Sequence, residues 1–98
     1  MSAGLRVVTS AEGQNFGVRT RIEWDGQTVW EDRLRPAGMP STEAAEAQIA
    51  SIRRGRDLAG RLDHARRTGC GWPTIGDDER ADIDAYTAAR ARLAEVAS

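Results

Sequence analysis

His64 and Cys70 are the one imidazole and the one thiol of the chain, and a thiol beside an imidazole is the pairing that turns cysteine into a nucleophile. With Asp63 and Asp77 the same histidine could begin a metal site. Nucleophilic catalysis needs a third group to orient the base, and a metal needs several ligands at set spacings. Neither pattern is present, so both residues read as solvated surface. Asp77, Asp78, Glu79, Asp82 and Asp84 crowd carboxylates into one stretch, but without the alternating oxygen ligands and central glycine of a calcium loop. A helix start explains them, because the positive end of the helix dipole favours acids. No GxxxxGK[ST], GxGxxG, GxSxG, HExxH or paired CxxC occurs. An enzyme would have to work with carboxylates, Tyr86 and arginine, so no catalytic residue, metal or cofactor is expected.

The basic residues carry what chemistry remains. There are 14 against 15 acids, a net charge of −1, and all 14 are arginine. A chain so balanced is not a polycation that seeks nucleic acid indiscriminately. The lack of lysine, with 16 alanines and 10 glycines, is the composition of a GC-rich genome such as that of an actinobacterium or one of its phages. Residues 41–69 hold six arginines against four acids, the last 29 residues three against six, and the first 40 five against five. A basic first helix therefore complements an acidic second one, within one chain or between protomers, and Asp57 and Arg61 are spaced as a favourable i,i+4 pair. The sharper alternative is a phosphate-binding stripe on the first helix that includes Arg53 and Arg56.

The elements that must position these groups follow from pattern. At 98 residues and 10.7 kDa the chain has the length of one domain, divided into a β-meander over 1–35, a first helix over 41–68 and a second over 77–97. LRVVT, residues 5–9, is a β-branched run. Phe16, Val18, Thr20, Ile22 and Trp24 then alternate with polar residues or glycine as a half-buried strand does. Asp25-Gly26 signals a hairpin. A two-residue turn would set Val29 beside Ile22 and leave Trp30 and Leu34 facing water, so register favours a three-residue loop. Ser41 is the expected cap of the first helix, with its body from about residue 42 to 67 and a stripe of Ala45, Ile49, Ile52, Ala59, Leu62 and Ala65. Gly55 and Gly60 each cost about 1 kcal/mol there, and Gly55 marks a candidate bend. Gly69 ends that helix. Asp77 or Asp78 is expected to cap the second, which carries Ile83, Tyr86, Leu93, Val96 and Ala97. Between the helices stands Trp72. It is either a plug folded back on the core beside Ile75, the expected arrangement, or an exposed anchor for a partner.

GVRTRIEWDGQTVWEDRL followed by PSTEAAEAQIASI resembles the arm-binding, AP2-like domains of phage integrases, over about residues 16–52. It rests on strand, DG turn, strand and helix start. The resemblance implies a three-stranded sheet, backed by one helix, that sets arginines into the DNA major groove, and the matching readers would be Arg19, Arg21, Arg33 and Arg35. Glu23, Glu31 and Asp32 interrupt that row.

The fold expected is α+β, a three-stranded antiparallel meander followed by a two-helix antiparallel hairpin, with Trp24, Trp30, Leu34, Ile49, Ile52 and Leu62 meeting in the core. A core this thin gains from association, so a homo-oligomer is expected. The function expected is a small non-catalytic binding protein, acting on a protein partner or a small anionic ligand in an arginine-lined cleft, with DNA binding through the sheet as the alternative. No signal peptide and no membrane span is read, and the expected location is the cytoplasm.

Overall fold

The protein is described from a computed structural model over residues 4–11, 17–36 and 42–97, with side chains as far as residue 95. It is α+β: β1 (Leu5–Ala11), β2 (Val18–Trp24) and β3 (Gln27–Glu31) form an antiparallel sheet in the order β1-β2-β3, followed by α1 (Glu43–Thr68) and α2 (Asp77–Ala97). No helix is long and apolar enough to cross a membrane among the described residues.

The pleat places Leu5, Val7, Ile22 and Trp24 on one face, because Leu5 pairs with Trp24 and Val7 with Ile22. That face meets the helices. The β2–β3 turn corrects the sequence reading: it has two residues, not three, with Asp25 and Gly26 at φ 53° and 83°, the pair of positive angles a tight hairpin turn demands. Thr28 faces Glu23 and Trp30 faces Ile22, which leaves Val29 as an extra residue in a β-bulge. The bulge resolves the conflict that a longer loop was invoked to solve. Val29 is buried, and Trp30 still reaches the core side. Leu34 does not. It is 40% exposed, beyond the end of β3, where the chain holds to β2 through the Asp32 N–H to the Thr20 carbonyl and the Val18–Arg35 bridge.

Ile22, Val29, Ala45, Ile49, Ile52 and Ala89 form the core, flanked by Leu5, Val7, Trp24, Trp30, Ala85, Tyr86 and Leu93. Leu62, expected there, is half-buried and lies outside it. The reason is length. At 26 residues α1 is about 39 Å long, far more than a sheet of five- to seven-residue strands covers. Its first half and α2 from Ala85 onward contribute to the core, and beyond it the remaining parts of the two helices carry the buried Ala65. The molecule measures 56 × 30 × 22 Å with a radius of gyration of 15.9 Å, against about 13 Å for a compact chain of this length. A helical arm therefore projects beyond the sheet.

Gly55 is not a bend, since α1 runs unbroken through it. A methyl group at Gly55 would collide with the backbone carbonyl oxygen of Asp82 and lie 2.9 Å from the Cβ of Tyr86. Glycine is what lets α1 and α2 touch backbone to backbone. Gly69 ends α1 in the left-handed conformation, its N–H donated to the Ala65 carbonyl at 2.7 Å. At the start of α1 Thr42 makes no side-chain capping bond, and the expected cap, Ser41, lies outside the described residues. The start of α2 differs from expectation: Gly76 precedes the helix, its carbonyl accepting from Arg80 N–H at 2.9 Å, and its own N–H is donated to Glu79 Oε2 at 3.2 Å. This is the glutamate half of a capping box, and Asp77 is already helical.

Gly55→Ala is expected to destabilise the protein by about 1–3 kcal/mol, because overpacking against a backbone outweighs the gain of about 1 kcal/mol in helix propensity. Gly60→Ala, whose methyl would meet nothing within 4 Å, should instead stabilise by up to about 1 kcal/mol. Urea titration of the two variants reads both signs. Equal effects would contradict the close crossing at Gly55.

Candidate functional site

The acidic stretch at the start of α2 divides by role. Asp82 is buried, and its carboxylate accepts from three donors on α1: Ser51 Oγ at 2.6 Å, Arg54 Nε at 2.9 Å and Arg54 Nη2 at 3.2 Å. Hydrogen bonding from Arg54, then Ser51, holds the Asp82 carboxyl below the usual aspartate range, and Asp82 in turn raises the Arg54 guanidinium. The complementarity of basic and acidic helices thus operates within one chain at this point. Among the described residues no group of three or more His, Cys, Asp and Glu is placed to hold a metal ion. His64 and Cys70 are both exposed, and the Cys70 thiol lies 3.6 Å from the Thr68 hydroxyl.

Of the four sheet arginines expected to face DNA, Arg21 and Arg35 are drawn into local pairs. Arg6 Nη2 and Arg21 Nε reach the two oxygens of Glu23 at 2.7 and 3.3 Å, and Arg35 Nε reaches Asp32 at 2.7 Å. These contacts lower the Glu23 carboxyl, chiefly through Arg6, and the Asp32 carboxyl, chiefly through Arg35. Arg19 and Arg21 share a face with Glu23 and Glu31 by register. Arg33 has no ion-pair partner among the described residues, though its backbone N–H binds Asp32. The residues expected to read a groove are therefore not gathered into one basic surface.

Arg53 and Arg56 are gathered. With Asp57, Gly60, Arg61, His64 and Gly71 they line an open groove of about 500 Å³ along the exposed side of α1. The spacing 53, 56/57, 60/61, 64 is one helical face. The groove holds three guanidiniums against one carboxylate, since Asp57 pairs with Arg61 at 3.1 Å while Arg53 and Arg56 have no ion-pair partner among the described residues. Gly60 leaves its floor without a side chain. Gly71 also lines it, and the next residue is Trp72, 57% exposed. Trp72 is therefore not the plug expected from Ile75's proximity. Ile75 is half-buried alone.

Arg61 and His64 share this face with Arg53 and Arg56 by spacing on a helix already expected over about 42–67, a grouping that the sequence reading does not draw. Asp82 was read as one dipole-facing acid among five. Its i,i+4 position before Tyr86 carried no signal that it faces α1.

Comparison of the chain with protein-family models, characterised proteins and solved structures finds no match.

Because the folded-state values of Asp82, Glu23 and Asp32 are lowered, their contribution to stability is present above the ordinary carboxylate range and is lost as pH falls through the folded values. The urea midpoint should hold at neutral pH and drop below about pH 4. Asp82→Asn should lower the midpoint at neutral pH and flatten that acid limb. An acid limb as steep as that of the unaltered protein would show that the Arg54–Asp82 clamp does not stabilise the fold.

Proposed function

We propose that the protein is a small non-catalytic binding protein whose projecting helical arm docks an acidic segment of a protein partner. The observation that carries the reading is Trp72, a large exposed aromatic at the tip of the arm, set beside a groove with an excess of guanidinium charge. An aromatic anchor beside arginines is the composition of residues that dominate interface energy. A free small anion in the groove is the simpler form of the same recognition, and it would not need Trp72. DNA binding through Arg19, Arg21, Arg33 and Arg35 is the alternative, and it finds less support because Arg21 and Arg35 are held by Glu23 and Asp32.

The immobilised protein, Trp72→Ala and Arg53→Gln/Arg56→Gln are compared as baits for proteins of the native host at physiological salt. A partner retained by the unaltered protein and lost from both variants is the expected result, with Trp72→Ala weakening it by about 2 kcal/mol. The melting point of Trp72→Ala should barely move, since exposed substitutions cost within about 0.5 kcal/mol. Nucleic acid retained equally by all three, and released steeply with salt, overturns the reading in favour of the sheet.

The same reading has the protein self-associate. Support comes from β1, a seven-residue edge strand with one charge, of the kind that invites pairing. An antiparallel pair of β1 strands centred on Val8 would set Arg6 opposite Ser10 and Val8 opposite Val8, with no like charges facing. Sedimentation equilibrium at micromolar concentration should find a dimer. Val8→Glu should dissociate it, placing two carboxylates face to face, while within one chain the new acid would lie opposite Arg21. A monomer before substitution refutes self-association.

A further inference from the structure

A second cleft, of about 410 Å³, opens where the β2–β3 turn meets the two helices. Trp24 and Tyr86 line it with ring centroids 6.2 Å apart and planes inclined at 41°. That separation is too short for a third ring to enter between them, so a ligand ring would lie against their cleft-facing surfaces. Two guanidiniums enter the same space from different helices. Arg90 on α2 is fixed by donating Nη1 to the Tyr86 hydroxyl at 2.7 Å, with its Cζ 5.7 Å from the ring centroid. Its remaining N–H groups are left to donate elsewhere. Arg56 arrives from α1 because the neighbouring Gly55 brings that helix against Tyr86. Neither arginine has an ion-pair partner among the described residues, and Asp25, at the rim on the hairpin tip, forms no ion pair with them.

Two arginines without an ion-pair partner among the described residues stand beside a tilted aromatic pair and are available to an anion, and the volume falls in the range of small-ligand sites. We propose that this cleft binds a nucleoside monophosphate: the base against Trp24 and Tyr86, the phosphate between Arg56 and Arg90, and Asp25 accepting from N–H donors of the base. Guanidinium forks match phosphate oxygens, and aromatic side chains stack on any base. The carboxylate favours a base that presents N–H groups on its edge, which guanine does. No covalent step is involved.

Titration with GMP, followed by calorimetry and by the indole N–H signal of Trp24 in a nitrogen-resolved NMR spectrum, tests the site. GMP should bind and move that signal. Arg56→Gln and Arg90→Gln, both at exposed positions, should each weaken binding by about tenfold or more with the circular dichroism spectrum unchanged. Asp25→Asn should weaken GMP while leaving inorganic phosphate unaffected. Arg92→Gln, of equal charge change on the same helix but outside the cleft, should bind GMP as the unaltered protein does. The proposal is overturned if millimolar GMP leaves the Trp24 signal in place, if both arginine variants retain full affinity, or if guanosine or inorganic phosphate alone binds as tightly as GMP.

Discussion

The backbone contact between Gly55 and Asp82 fixes how the rest of the chain is arranged. Helices normally stand off by the width of two side chains, whereas here α1 has no Cβ at the crossing and its backbone reaches the Asp82 carbonyl. The residue that presents that carbonyl also turns its side chain onto Ser51 and Arg54, one turn and one residue before the glycine. Close approach and clamp belong to the same pair of helical turns. With both in place, α1 and α2 act as one plate, and the sheet needs only to cover its first part.

The thin core follows from that geometry. The sheet contributes Ile22 and Val29, the helices four small or branched residues, and the aromatics Trp24, Trp30 and Tyr86 sit around the edge. Rim aromatics are half-wet by construction, and they gather where the sheet stops and the helices continue. The edge of this core is thus where cleft-forming residues must lie. Thr20, two residues before Ile22 on the same face of β2, is almost fully buried with its hydroxyl unpartnered among the described residues.

Much of this was legible in the sequence because it rests on periodicity: three strands, two helices, the Asp-Gly turn and the Gly69 cap are all local. The failures are of two kinds. A bulge at Val29 let a short turn and an inward Trp30 coexist, and alternation cannot report one inserted residue. The second kind concerns residues whose environment is supplied from far along the chain. Gly55 reads as a weak point in an isolated helix and becomes the contact point once Asp82, 27 residues on, is placed against it. Trp72 reads as apolar and is exposed, because the arm carries it past the end of the core. Of the arginines thought to bind, Arg53 and Arg56 share a groove, whereas the pairing of Arg21 and Arg35 depended on neighbours whose charge was visible but whose reach was not.

The run Arg53-Arg54-Gly55-Arg56 condenses these relations into one helical turn. Successive residues are rotated by about 100° around the axis, so a glycine aimed at α2 dictates where its neighbours go. Arg54 falls beside the contact and is neutralised by Asp82. Arg53 faces the open groove along the arm, and Arg56 stands between that groove and the aromatic cleft, lining both. Three residues of one type thereby acquire three environments, set by angle alone. In a chain whose every basic residue is arginine, composition cannot distinguish a structural cation from a binding one. The partner each guanidinium finds does so, and on that criterion Arg54 belongs to the fold while Arg53 and Arg56 are exposed and form no ion pair among the described residues.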